Sequence, residues 1–214
     1  MRSVPDLRKL GLSAKDMTLL RLVNTPEKIQ DFVDSIPANF EVGGETCMGV
    51  LETLRRRKAH CMEGALVGAL ALWIHGDPPL VIDIKADGAD SDHVVAVFRR
   101  NGRWGAISKT NRGVLRYRDP VYKNLRELVM SYFNEYFDVK KRKTLRAYSL
   151  PLDLSRLDPS EWIIAKECWE LSEKIDGLRH YQLITAKMAK TLRHPTLTER
   201  RSWDVEEYPR PKKK

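Results

Sequence analysis

The sequence predicts an α+β fold, and three observations carry that reading. Apolar residues recur at helical spacing from Ser13 to Trp73, two alternating runs flank the dipeptide Asn101-Gly102, and a second helical stripe starts at Leu125. A helical front half therefore gives way to a sheet, and the sheet to helices again.

The elements follow in order. Ser13 can cap a helix running to about Leu22. Thr25-Pro26-Glu27 opens another, with Ile29, Phe32, Val33 and Ile36 on one face and Pro37 as its stop. After Gly43-Gly44, ETCMGVLETLRRR reads as a third helix with Met48, Leu51 and Leu54 on one side. From Cys61 onward, Ala65, Leu66, Ala69, Leu70 and Trp73 mark a central buried helix, with Gly64 and Gly68 for close packing and Gly76 to end it. PPLVIDIK, HVVAVFRR and RWGAISKT read as strands. Arg118-Asp119-Pro120 leads into a helix over VYKNLRELVMSYFNEYF, and LRAYSLPL is a strand. Asp158-Pro159-Ser160 starts a helix to about Asp176, Gly177 breaks it, and a last helical segment runs to about Thr191. The polar tail after Pro195 is expected to be loose. No internal repeat is visible. The organisation expected is a main domain over residues 1–150 and a helical extension with a basic tail over 151–214.

Asn-Gly between alternating runs signals a two-residue type I′ hairpin, because both residues tolerate positive φ. The turn sets the register: Arg100 faces Arg103, Val97 faces Ala106, Val95 faces Ser108 and His93 faces Thr110. His93, Ser108 and Thr110 then share a face, while Asp92 and Asn111 point away unless the strand bends.

Composition excludes several classes. Hydrophobic residues at 42% and charged residues at 31% describe a folded chain rather than a disordered one. The charged opening MRSVPDLRKLGLSAKD lacks a signal-type apolar stretch, and the apolar run Ala65 to Ile74 falls well short of the ~20 residues needed to span a membrane. A cytoplasmic protein with no membrane partner is expected. Cys47, Cys61 and Cys168 form no CxxC pair, so neither a disulfide framework nor a four-cysteine zinc site is indicated. Cys47, His60, Cys61, His75 and His93 match no metal-ligand spacing, and neither metal nor cofactor is expected. The formal charge of +9 comes from scattered clusters, among them Arg55 to Lys58, Lys140 to Lys143 and the terminal PRPKKK. Such clusters are ordinarily solvated faces, and can also attract nucleic acid or an acidic protein.

A cysteine at a helix N-terminus gains thiolate stability from unpaired N–H groups and the helix dipole. A histidine beside it serves as general base and then as acid to the leaving group, and a third polar group holds its tautomer. Cys61, His93 and either Ser108 or Asn111 supply these parts in the order helix, strand, next strand. This arrangement, with a Gly-x-Trp turn nearby, resembles the transglutaminase-like superfamily of thiol enzymes with a papain-related core, over about residues 55–111. The resemblance implies a buried helix packed on an antiparallel sheet, Cys61 as nucleophile and His93 as base. It also implies attack on a peptide, protein or small amide carbonyl, with the acyl group passed to water or an amine and no cofactor. The family's third member is usually an aspartate a few residues after the tryptophan, and that position here is Ser108, a departure that leaves Asn111 as the alternative.

Three further residues have two readings each. Glu63 either complements the positive helix end or contacts substrate. Lys109 is either a solvated strand residue or a site for an acidic substrate group. Trp104 either packs or lines an acyl pocket. His60 reads as a helix-start residue rather than a second base, and Cys168 as core. The rival reading of the whole is an inactive basic binding module of the same fold, contacting nucleic acid or acidic protein through the Arg55 and Lys140 clusters.

Overall fold

A computed structural model describes residues 3–211, leaving the last three lysines of the basic tail outside the described residues. It is α+β, with one antiparallel sheet of seven strands and eight α-helices among the described residues. The strands are β1 (Leu80–Lys85), β2 (His93–Arg100), β3 (Arg103–Ile107), β4 (Arg118–Tyr122), β5 (Ala147–Ser149), β6 (Leu152–Asp153) and β7 (His180–Gln182). Their order is β4-β3-β2-β1-β5-β7, with β6 also paired to β1.

The helical front half contains α1 (Ala14–Leu22), α2 (Pro26–Ser35), α3 (Val50–Arg56) and α4 (Cys61–Ile74). Ser13 and Thr25 cap α1 and α2 through their side chains, and Pro26 stands in the first turn of α2, where a missing N–H costs nothing. α4 is apolar on every side and buried from Met62 to Trp73, the pattern of a core helix. It lies on the sheet face carrying Val94, Ala96, Phe98 and Ile107. The opposite face carries Ile82, Ile84, Val95, Val97 and Ala106, covered by Leu128, Val129, Tyr132 and Phe133. The sheet is thus the middle of three layers.

The hairpin takes the register read from Asn101-Gly102: Arg100 pairs with Arg103 and Val97 with Ala106, and both turn residues have positive φ, 51° and 75°. The ladder ends sooner than expected, at Ala96 opposite Ile107, so Val95–Ser108 and His93–Thr110 are not paired. Just past the ladder, Gln30 on α2 holds the Ser108 main chain on the side away from β2: its Oε1 accepts the Ser108 N–H at 2.9 Å and its Nε2 donates to the Ser108 carbonyl at 2.8 Å.

Other expectations are corrected. The third helix begins at Val50 rather than soon after Gly44, because Thr46 and Met48 donate instead to Glu63, and Gly49 lies against main-chain carbonyls. A Cβ on Gly49 would stand 2.5 Å from the Ala165 oxygen, so only glycine fits. Residues 118–122 form β4 rather than a helix approach, and Pro120 is tolerated there because β4 is an edge strand. The following helix is short, α5 (Leu125–Met130), capped by Asn124. The segment from Asp158 holds only a 3-10 turn, Pro159–Glu161, before α6 (Trp169–Asp176). Beyond Gly177, β7 precedes α7 (Ala186–Ala189). The tail is ordered: it forms α8 (Leu197–Asp204), and then runs along residues 111–113.

Residues after 150 contribute β6 and β7 to the sheet and Trp162, Ile163, Leu171 and Ile175 to the core. Trp162 stacks on Trp73 of α4, with centroids 6.1 Å apart.

Candidate active site

The N-terminus of α4 is built by a capping box. His60 is the N-cap, its Nδ1 accepting the Met62 N–H at 3.2 Å, while the Glu63 carboxylate accepts the His60 N–H at 2.9 Å. Glu63 does more than cap. Fully buried, it also accepts from Thr46 Oγ1 at 2.8 Å, the Met48 N–H at 3.0 Å and Asn39 Nδ2 at 3.2 Å. The carboxylate is the knot that ties residues 39–48 to α4, and it stands behind the site rather than on the wall of the cleft. Cys61, the first residue of α4, is partly exposed, and its amide has no intrahelical acceptor.

His93 opens β2 on the neighbouring layer, and the structure brings Ser108 to it: His93 Nε2 lies 2.8 Å from Ser108 Oγ. The proton positions follow from the third partner. Ser108 Oγ is 2.5 Å from the Leu115 carbonyl oxygen, which can only accept, so the hydroxyl proton goes there. Toward His93 the hydroxyl must therefore accept, which puts a proton on Nε2 and leaves Nδ1 as the basic nitrogen for the Cys61 thiol. This also accounts for serine where the resemblance expects aspartate. A carboxylate has no proton for Leu115 and would set oxygen against oxygen. Gln30 fixes the Ser108 main chain and is in turn held by Asp34 Oδ1 at 2.9 Å. Nothing in the spacing of α2 marks Gln30 as part of the site. Its only sequence signal is a polar residue within a helix whose neighbours Ile29, Phe32 and Val33 are core.

Asn111 is not brought to His93. Its Nδ2 donates to the Tyr208 carbonyl at 3.0 Å and its Oδ1 accepts the Tyr208 N–H at 2.8 Å. Lys109 is no solvated strand residue: it is 1% exposed, its Nζ donates to the Asp34 carbonyl at 3.2 Å, and it stands 5.1 Å from the Tyr208 ring centroid. Burial pulls its ammonium below the ordinary lysine range. Trp104 lies away from the cysteine, with Arg99 over its ring and Tyr122 as its strand partner.

Electrostatics favour the thiolate. Burial pushes the Cys61 thiol up, but hydrogen bonds to His60 and His93, and the charge of both rings, overcome it and hold the thiol well below the ordinary range. Burial likewise pulls His60 down, and its bond to Cys61 with the charges of Cys61 and Glu63 lifts it to about 10. That state and the cap exclude each other, since Nδ1 cannot both carry a proton and accept from Met62. The cap seen in the structure therefore belongs to the neutral His60 ring, with its 3.2 Å bond at the long end of the range.

Two clefts meet at Cys61 and His93. The larger, about 320 Å³, is also lined by His60, Phe40, Lys109, Asn111 and Arg210. The smaller, about 190 Å³, is lined by Asp90, Leu115, Tyr136 and Trp203. Cys61 and His93 border both, whereas His60 borders only the first, so His93 can serve groups on either side.

Several arginines in and near the basic clusters pair with neighbouring carboxylates. Arg55 and Arg56 both pair with Glu52, Arg57 with Asp16, Arg142 with Asp138 and Arg146 with Asp87. Among the described residues, Asp83, Asp92 and Asp176 have the spacing of a cation site, but Lys85 already puts an ammonium 2.9 Å from Asp92 and 3.8 Å from Asp83. No helix among these residues is long and apolar enough to cross a membrane. Comparison of the chain with protein-family models and with curated proteins finds no match.

Proposed function

We propose that the chain is a cysteine-dependent amide or peptide hydrolase or acyltransferase of transglutaminase-like type, with Cys61 as nucleophile, His93 as general base and Ser108 as the residue that orients it. The observation that carries the reading is the hydrogen-bond chain Leu115–Ser108–His93, which assigns the ring proton to Nε2, on a histidine hydrogen-bonded to a thiol at a helix N-terminus. In the first step the Cys61 proton passes to His93 and the sulfur attacks the carbonyl carbon, with the C=O π pair moving to oxygen. The Cys61 amide is placed to donate to that oxyanion. Collapse breaks the C–N bond, His93 gives its proton to the departing amine, and a thioester remains. Water or an amine, deprotonated by His93, then attacks the thioester and releases the acyl product and the thiol.

The test is alkylation by iodoacetamide near pH 6, located by mass spectrometry. Cys61 is expected to label while the buried Cys47 and Cys168 do not. Cys61→Ala abolishes that label, and His93→Ala moves its pH midpoint upward. A Cys61 that labels only near the ordinary thiol pKa would refute the assignment.

A further inference from the structure

The tail after α8 is held in a way that its polar composition does not require. Residues 205–208 run antiparallel to residues 111–113: the Gly113 N–H donates to the Val205 carbonyl at 2.9 Å, the Glu207 N–H donates to the Asn111 carbonyl at 3.1 Å, and Arg112 and Glu206 form a bridge pair. The Asn111 side chain adds its two bonds to the main chain of Tyr208. Side chains find matched partners as well. Glu206 pairs with Arg112 at 2.8 Å, Glu207 pairs with Arg116 at 3.1 Å, and the Tyr208 hydroxyl donates to the Asp34 carbonyl at 2.7 Å. Gly113 admits this approach because a Cβ there would lie 2.7 Å from the Ser202 oxygen. The segment also spans the catalytic pair, since Trp203 walls the smaller cleft and Arg210 the larger, and both clefts open on Cys61 and His93.

We propose that the edge at residues 111–113 is a binding site for an extended peptide passing Cys61 and His93, and that residues 205–208 occupy it in cis. Main-chain pairing gives such a site affinity for any extended segment, and the flanking side chains give it selectivity. Arg112 and Arg116 select acidic residues, and the niche between Lys109 and Asp34 selects an aromatic residue after them. The substrate class is therefore an acidic peptide with a following aromatic side chain, and the tail is its internal competitor. This deepens the proposed thiol chemistry and rests on it for the role of the bound peptide, while the binding site itself is read independently.

The experiment uses the full chain, a chain ending at Asp204, the full-length variant Asn111→Ala, and a fluorescent synthetic peptide of residues 204–211. The shortened chain is expected to bind the peptide, to prefer it at least tenfold over a scrambled peptide of the same composition, and to label at Cys61 at least fivefold faster than the full chain. Added peptide slows that labelling again. Asn111→Ala in the full chain labels faster than wild type, which keeps the test open if the shortened chain does not fold. Equal binding of the scrambled peptide, or Cys61 labelling unchanged by both tail removal and Asn111→Ala, overturns the proposal. Peptide binding without any Cys61 labelling in any form removes the thiol chemistry and leaves the peptide site standing.

Discussion

Ser108→Ala isolates the step on which the proposed chemistry turns. The substitution removes an oxygen that accepts from His93 Nε2 and donates to the Leu115 carbonyl, both within a fully buried residue's reach. Each such bond contributes about 1 kcal/mol net, so about 2 kcal/mol of stability is lost. The share that falls on the ring, about 1–1.4 kcal/mol, converts to a fall in Cys61 reactivity of roughly 5- to 10-fold. Ser108→Asp sharpens the comparison. It restores an acceptor for His93 but turns an anion toward the Leu115 carbonyl, with an expected stability cost of about 1–3 kcal/mol. The assay is the second-order rate of Cys61 alkylation across pH, with urea unfolding for stability and near-UV circular dichroism to verify the fold. A folded Ser108→Ala protein that alkylates at the wild-type rate would show that the hydroxyl does not hold the imidazole. A more stable Ser108→Asp protein would show that the Leu115 carbonyl does not select serine.

Three other outcomes are expected. Glu63→Ala strands the donors of Asn39, Thr46, Met48 and His60, and urea unfolding should show a loss of about 3–5 kcal/mol; under 1 kcal/mol would mean the loop 39–48 holds without it. Gly64→Ala puts a methyl 2.3 Å from the Lys109 Cβ, a contact no rotamer relieves, and should lower stability by at least about 2 kcal/mol; a neutral result would show that α4 and residue 109 can separate. Burial lifts Asp83 from 3.8 to about 6 even with His180 beside it, and its Oδ1 has no partner. The folded state then disfavours its ionisation, so stability is full below about pH 4 and falls as pH rises through about 6. Asp83→Asn escapes that loss: it should exceed wild type by up to about 3 kcal/mol above pH 7 and match it near pH 3, and a constant difference across pH would refute the cause.

The parts of the site that sequence made legible are those fixed by local chemistry. Asn101-Gly102 set the hairpin register through two positive φ angles, and that register put Ser108 on the His93 face. Cys61 opens α4 where the apolar run begins. What was not legible depends on partners distant in the chain. Asn111 and Ser108 were equal candidates until Gln30 and Leu115 were seen to hold one and Tyr208 the other. Glu63 carried a helix-dipole signal, but its donors at 39, 46 and 48 come from a segment whose own spacing reads as helix. The tail is polar because its partners are arginines and main-chain groups, a kind of anchoring that hydropathy cannot register.

The docking of α3 has a consequence for the order of assembly. The Val50 and Leu51 amides at its start donate to the Trp162 and Ile163 carbonyls, both at 2.9 Å, and the Cys168 amide donates to the Cys47 carbonyl at 2.6 Å. These are contacts between chain segments synthesised far apart in time. Until residues 162–168 leave the ribosome, α3 has open N-terminal amides, and the strip that feeds Glu63 lacks its backing. The loop that Glu63 ties to the start of α4 would therefore reach its final packing only once residues 162–168 are made, long after Cys61 and His93 themselves.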